Sequence, residues 1–263
     1  MKGMTMEVYQ HFRKEEQPFI DQVLSWKEQV ERTYIPKLTD FLDPREQEVV
    51  RMLLGTSQDD LQVEAFGGSE YSERKRIVIA PIYDTITEDM FQVELLEAAY
   101  PEKFMKVEHR DVMGAFLSQG VKRKKLGDIM IAGGKIHLLA AKEVVPYIKL
   151  NLTSIKKSRI SFTEQSLQSL MVKEESWKAY DKTISSLRLD TVIKEIYGLS
   201  RKDAATFIQK QLVKVNYRVV DDVKFQMQEG DMLSVRGKGR SKIVEIRGRT
   251  KKDKIKMTAA MLQ

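Results

Sequence analysis

No cysteine occurs in the 263 residues, so disulfides, thiolate zinc sites and cysteine nucleophiles are all excluded. Histidine is nearly as scarce: His11, His109 and His137 are scattered and show no metal-ligand spacing. No stretch approaches the roughly 20 consecutive apolar residues that a membrane span requires. The opening MKGMTMEVYQHF has no apolar core of the kind that marks a secretory signal. A cytoplasmic protein with no membrane partner is the expectation. No G-x-G-x-x-G follows a candidate strand and no glycine-rich phosphate loop is present, so nothing announces a bound cofactor. Repeats and low-complexity linkers are also missing.

What the chain does have is charge, and it is unevenly placed. The formal net charge is +7, with 32% charged and 42% hydrophobic residues, enough apolar content for real cores. Residues 1–180 carry a net −2 and residues 181–263 a net +9. Between Arg236 and Lys256 there are ten cations and two acids. This asymmetry points to a polyanion partner for one module, with the remainder built for something else. The length allows two or three domains.

The first 55 residues read as helical from Thr5 onward. One helix is expected over Glu15–Arg32, with Pro18 in its first turn and Trp26 among its core positions. A second has Asp43 as cap, Pro44 at the first helical position and Gly55 as stop. Strands are expected at Leu61–Phe66, Arg76–Pro81 and Phe91–Leu96, then a helix over His109–Gln119. A hairpin of Leu126–Ile131 and Lys135–Leu139, a helix over Lys142–Leu150 and a strand at Arg159–Phe162 complete the middle. That order predicts a small α+β sandwich, one sheet with helices on one face.

From Leu187 to Arg240 the pattern is two short helices, a hairpin and a basic strand. Asp190 is expected to cap the first helix, whose apolar residues Leu189, Val192, Ile193, Ile196 and Tyr197 share a face, with Gly198 as stop. Ser200 starts the second, and Asp203 three residues on would complete a capping box. Val213-Lys214-Val215 alternates as a strand, and Asn216-Tyr217 occupies a two-residue turn. Gly230-Asp231 then leads into Met232–Arg236 and the Arg-Gly-Lys-Gly-Arg run. The outward residues are mostly cations and amides, the chemistry of a nucleic-acid surface.

These features, Arg188-Leu189-Asp190, Ser200-Arg201 with Ala204 and Ile208, Val213–Asn216 and Gly230-Asp231, resemble the S-four RNA-binding domain named after ribosomal small-subunit protein four. Such domains usually have Gly near Gln211 and directly after the hairpin Asn, where this chain has Tyr217. A non-Gly residue at positive φ is costly, which predicts that the hairpin opens into a different turn. Together with Asp43-Pro44-Arg45-Glu46, GGSEYSERKRIVIAP and HRDVMGAFLSQGVKRKKLGDIMI, the whole chain resembles the YlmH family of bacterial proteins. The resemblance implies a helical N-terminal region (1–75), a central domain similar to an RNA-recognition motif (76–180) and a C-terminal S-four domain with basic strands (181–263). It also implies a non-enzymatic RNA-binding protein acting on the large ribosomal subunit with peptidyl-tRNA, in quality control of stalled translation. Genes of this family commonly lie among cell-division genes.

The expected RNA contacts are Arg188, Ser200, Arg201, Lys202, Gln209, Lys210, Lys214, Asn216, Arg218, Arg236, Lys238 and Arg240. Asp190, Ser200 and Asn216 also have structural explanations as caps or turn residues. In the central domain the strands RIVIAP and DIMIAG lack the exposed aromatics on which RNA-recognition motifs stack bases. Any contact there would fall to phosphates through Arg74, Lys75, Arg76 and Lys122–Lys125. Catalytic motifs fail on inspection. His109-Arg110-Asp111 copies the start of a kinase catalytic loop, but the required Asn five residues after the Asp is Phe116. Arg188-Leu189-Asp190 is similar to the catalytic Asp motif of pseudouridine synthases, yet a helix cap accounts for it. No cofactor and no small-molecule substrate are expected; rRNA or tRNA is the expected partner. The alternative is a protein adaptor in cell division or septum placement that uses residues 1–180 and binds RNA incidentally.

Overall fold

The structure is a computed structural model that describes residues 12–55, 60–171 and 176–263. The helical reading of Thr5–His11 lies outside them. The chain forms two compact units, one up to residue 173 and one from residue 174.

The first unit begins with helix α1 (Gln17–Thr33), which has Pro in its opening turn where the missing N–H costs nothing. Strand β1 (Lys37–Leu38) and helix α2 (Pro44–Leu54) follow. At α2 the Asp43 carboxylate accepts from the Glu46 backbone N–H at 2.9 Å, while the Glu46 carboxylate accepts from the Asp43 N–H at 2.9 Å. Asp43 is the cap that the sequence leads one to expect, and Glu46 makes that cap reciprocal. Strands β2 (Leu61–Phe66) and β3 (Arg76–Pro81) pair along their whole length, and β1 joins β3 to give the order β1-β3-β2. Ile77 and Ile79 pack with Val23, Val30, Val50 and Leu54 beneath the two helices. The boundary expected at residues 75/76 is therefore corrected. It would cut β2 from β3, and both strands belong with the N-terminal helices.

The rest of the unit runs β4 (Val93–Ala99), α3 (His109–Ser118), β5 (Leu126–Ala132), β6 (Lys135–Ala141), α4 (Val145–Asn151), β7 (Ser154–Ile155), β8 (Ser158–Arg159) and β9 (Thr163–Gln165). The sheet order is β5-β6-β4-β9 with every pair antiparallel, the split βαββαβ arrangement. The strand expected at Arg159–Phe162 is divided. Ser158–Arg159 closes a small hairpin on β7, and β9 pairs with β4 instead. Ile160 and Phe162 go into the core with Val112 and Phe116 of α3 and Val145 and Ile148 of α4.

Strand β3 is buried on both sides, and this determines what the central sheet can do. Ile77 and Ile79 face the N-terminal helices, while Val78 and Ala80 pack with Phe41 against Val93, Leu95, Leu139 and Ala141. These last four come from the face of β4 and β6 opposite α3 and α4. Close approach is built in here. A Cβ on Gly127 would meet the Phe41 ring at 2.8 Å and Leu139 Cβ at 2.9 Å. The face on which an RNA-recognition motif stacks bases is thus occupied by the protein's own N-terminal layer.

The second unit contains β10 (Trp177–Ile184), α5 (Leu189–Tyr197), α6 (Arg201–Gln209), β11 (Val213–Val215), β12 (Arg218–Val219), β13 (Met232–Val235), β14 (Gly239–Arg249) and β15 (Ile255–Leu262). They form one sheet in the order β10-β15-β14-β13-β11-β12. Leu189, Val192, Ile193, Ile196, Ala204 and Ile208 pack the two helices onto Val213, Val215, Leu233, Val235, Ile243 and Met257 of one sheet face. The boundary expected at residues 180/181 falls inside β10, which pairs with β15 from Trp177↔Leu262 to Ile184↔Ile255. That boundary is corrected to the join at residues 173/174. The basic run after Arg236 is not a tail, because it folds as β14 and β15. The chain is of the α+β class throughout.

Candidate nucleic-acid interface

Helix α5 starts two residues earlier than the sequence suggests. Arg188 is the N-cap residue and Asp190 lies inside the first turn, so the expected Asp190 cap is corrected. The Asp190 side chain is 4% exposed. Arg188 Nε and Nη2 donate to its two oxygens at 3.1 and 2.7 Å, and Thr191 Oγ1 donates at 3.2 Å. Burial by itself would raise this carboxyl, but the Arg188 hydrogen bonds and charge outweigh it and hold Asp190 below the ordinary Asp range. The Arg188 fork is therefore engaged within the protein. Arg201 Nε stands 3.7 Å from the same carboxylate while its side chain is 73% exposed.

Ser200 caps α6, its Oγ accepting from the Asp203 N–H at 3.0 Å. Only half of the expected capping box forms, because the Asp203 carboxylate accepts from the Ser200 hydroxyl at 2.7 Å rather than from its backbone. Arg201, Lys202, Gln209 and Lys210 are all exposed on this helix and its end. Gln211 adopts φ 56°, the left-handed conformation for which glycine is the usual choice.

The hairpin stays closed, against expectation. Lys214 faces Val219 and Val215 faces Arg218, leaving Asn216 and Tyr217 as a two-residue turn at φ 46° and 66°. Positive φ at both central residues is the turn type that matches the strand twist. Its cost is offset by side-chain contacts. Asn216 Nδ2 donates to Asp231 Oδ1 at 2.7 Å, and Asn216 Oδ1 accepts from the Met232 N–H at 2.9 Å. The Tyr217 hydroxyl donates to Met232 Sδ at 3.4 Å, and the Arg240 guanidinium lies 5.6 Å from its ring centroid. Asn216 is thus a lock between the hairpin and the Gly230-Asp231 turn.

Lys214 projects from the sheet face opposite the helices and is exposed, as is Arg218 on β12. Register places Lys214, Ser234 and Arg240 in one row across β11, β13 and β14. Arg236 and Lys238 are exposed at the β13–β14 tip, where Gly237 and Gly239 have φ 76° and 97°. Those glycines serve the turn itself. The exposed members of the expected set thus lie at both ends of α6, on the hairpin and at the β13–β14 tip.

The cations suggested for the central domain are mostly engaged elsewhere. Arg74 Nη2 donates to the Phe41 carbonyl at 2.8 Å, and Arg76 Nε to the Thr39 carbonyl at 2.8 Å; both residues are buried. Lys124 pairs with Asp40, and Lys125 with Asp40 and Glu143. Arg123 donates to the Gly127 carbonyl at 3.1 Å. Burial removes Arg74 and Arg76 from any phosphate-contacting surface, while Lys122 and Lys124 remain exposed. Among the described residues no group of three or more His, Cys, Asp or Glu could hold a metal ion. His137 is buried, with Nε2 2.7 Å from Glu97 Oε2 and Nδ1 accepting from the Met171 N–H at 3.1 Å.

A helix pair, a positive-φ hairpin and a basic sheet are the architecture of a small RNA-binding module. Comparison with known proteins agrees. Residues 187–233 match the S4 domain, residues 87–169 the family described as "Putative RNA-binding domain in YlmH", and residues 15–84 the YlmH N-terminal family. The chain is 40% identical over 252 residues to "Ribosome-associated protein quality control protein P2" of Bacillus subtilis (strain 168), covering 96% of this chain and 97% of that one. The solved structure "Cell division protein ylmH from Streptococcus pneumoniae" matches with a TM-score of 0.54 and 26% identity, over 61% of this chain and 96% of that one. The chain belongs to the YlmH family.

Proposed function

We propose that this protein binds ribosomal RNA or tRNA on the large ribosomal subunit carrying peptidyl-tRNA, as a cytoplasmic, non-enzymatic factor in the quality control of stalled translation. The observation that carries the RNA contact is the grouping of exposed Arg201, Lys202, Lys210, Lys214, Arg218, Arg236 and Lys238 on one folded module. Gln209 and Arg240 border them. Phosphates take most of these contacts, with backbone N–H groups at the start of α6 assisting. Ser200 and Asn216 hold the geometry, and Arg188 sets the buried Asp190. The ribosomal setting is supported by the name of the Bacillus relative. No helix among the described residues is long and apolar enough to cross a membrane.

A protein adaptor in cell division is the second reading, favoured by the name of the pneumococcal structure. Sucrose-gradient sedimentation of lysates carrying the intact chain or a form ending at residue 173 separates the two. Co-migration of the intact chain with large subunits and tRNA, lost on truncation, supports the translation reading. Absence of both forms from ribosomal fractions at low salt supports the adaptor.

A further inference from the structure

The sheet of the C-terminal unit has a second face, and no helix among the described residues of that unit packs on it. Alternation along the strands puts the core residues Val213, Val215, Leu233, Val235 and Ile243 on the helix side. Lys214, Met232, Ser234, Arg240 and Lys242 therefore share the other side. Register aligns them in two rows: Lys214, Ser234 and Arg240, then Met232, Lys242, Ala260 and Ala179. Two cations of β14 on this face, Arg240 and Lys242, are each matched to an aromatic ring. The Lys242 ammonium lies 4.6 Å from the Trp177 ring centroid, and the Arg240 guanidinium 5.6 Å from that of Tyr217. Arg240 and Lys242 are two residues apart on one strand, about 7 Å. Both rings are half-buried, so each keeps part of its surface in water.

A core would not be built this way. Large apolar rings left on an open sheet face, each beside a cation, match the chemistry of unpaired nucleotides: π-faces for bases and positive charge for phosphates. The acids of this face, Glu245 and Asp181, lie beyond the Lys242 row, and both approach Arg247, at 2.8 and 3.9 Å. The strip between Tyr217 and Trp177 is left cationic. We propose that this face is a stacking platform for single-stranded RNA, continuous through Lys214 and Arg240 with the phosphate-contacting helix and hairpin surface. The proposal rests on the RNA-binding reading of the module and adds to it a class of ligand: unpaired bases beside a structured RNA.

Fluorescence anisotropy of the full chain with a labelled 12-nucleotide oligo(U) and with a labelled 12-base-pair RNA duplex tests it. Trp177→Leu and Tyr217→Gly are the variants. Loss of a stacked base is worth roughly 1–3 kcal/mol, about 5- to 150-fold in affinity. Each variant is expected to weaken oligo(U) binding at least about fivefold and duplex binding less than twofold. Tyr217→Gly relieves a left-handed non-glycine residue, so weakened binding with an unchanged urea midpoint cannot be attributed to unfolding. Trp177→Phe, which keeps a π-face, should restore most of the affinity. Unchanged oligo(U) binding in both variants overturns the platform while leaving the RNA-binding reading intact, and so does an equal loss for both RNAs. If the unmodified chain binds neither RNA at low salt, the underlying reading fails and the platform with it.

Discussion

Replacing Asn216 with Ala should cost the C-terminal unit about 4 kcal/mol while leaving in place the exposed cations proposed to contact RNA. The figure is built from two lost hydrogen bonds and a backbone-strain term. The side chain makes a hydrogen bond to the Asp231 carboxylate at 2.7 Å and accepts one from the Met232 N–H at 2.9 Å. Asp231 is 4% exposed, so removing its partner leaves a desolvated carboxylate with fewer donors. A bond to a charged group is worth about 1.5–3 kcal/mol and a neutral one about 1 kcal/mol. Alanine at φ 46° adds about 1 kcal/mol of strain, which glycine avoids. Asn216→Gly should therefore lose only the hydrogen-bond part.

The assay can be confined to the right unit. The chain has two tryptophans, Trp26 in the first unit and Trp177 in the second, so in a Trp26→Phe background the emission reports on the C-terminal unit. With a urea slope of about 1–1.5 kcal/mol/M, Asn216→Ala should lower the midpoint by about 3–4 M, and Asn216→Gly by less. RNA affinity, measured where the variant is still folded, should change less than threefold. A midpoint shift below about 0.5 M together with a tenfold loss of RNA affinity would refute the reasoning. Asn216 would then be a contact and not a lock.

Three further outcomes are expected. Arg188→Ala should destabilise the C-terminal unit by about 2 kcal/mol at pH 7, less than a fully buried pair because Arg188 is partly exposed and Arg201 is close by. Because Asp190 is depressed in the fold, the stabilisation is present above its ordinary value of 3.8 and fades as pH falls through the folded value. Urea midpoints of the variant and the unmodified chain should thus converge in acid. Gly127→Ala should destabilise the first unit by about 1–3 kcal/mol through overpacking on Phe41 and Leu139, read from Trp26 emission in a Trp177→Phe background. Single Ala substitutions of Lys202, Lys210 or Lys214 should each reduce the slope of log affinity against log salt by about 0.7–0.9, measured by RNA titration at several salt concentrations. An unchanged slope would remove that residue from the interface.

Much of the architecture can be read from the residues because local chemistry and tertiary packing agree. Asp43-Pro44 announces α2, and the alternating run Leu61–Phe66 and the compact apolar run Arg76–Pro81 are strands at those bounds. What periodicity cannot convey is which sheet a strand joins. β3 is apolar on both sides, so its pattern fits a central position in any sheet, and its true place between two layers emerges only from pairing. The cationic stretches show the same limit. Arg74 and Arg76 look like surface charge in the sequence, yet they satisfy the carbonyls of Phe41 and Thr39 inside the fold. In the C-terminal unit the exposed cations of α6 and the strand tips were legible from helix and strand phase. Asp190 was misassigned because an acid near a helix start reads as a cap whether or not an arginine claims it. The Tyr217–Arg240 and Trp177–Lys242 pairs join residues 23 and 65 positions apart, which no local pattern connects. Tyr217 in a glycine position was the one visible sign.

The most direct test is ultraviolet cross-linking of the full chain to ribosomes in cells, followed by identification of the peptides that carry nucleotide. Attachment concentrated between residues 188 and 242, and largely absent from residues 87–169, is the predicted result. Attachment concentrated in the central domain, with residues 188–242 unmarked, would contradict the assignment of RNA recognition to the C-terminal unit.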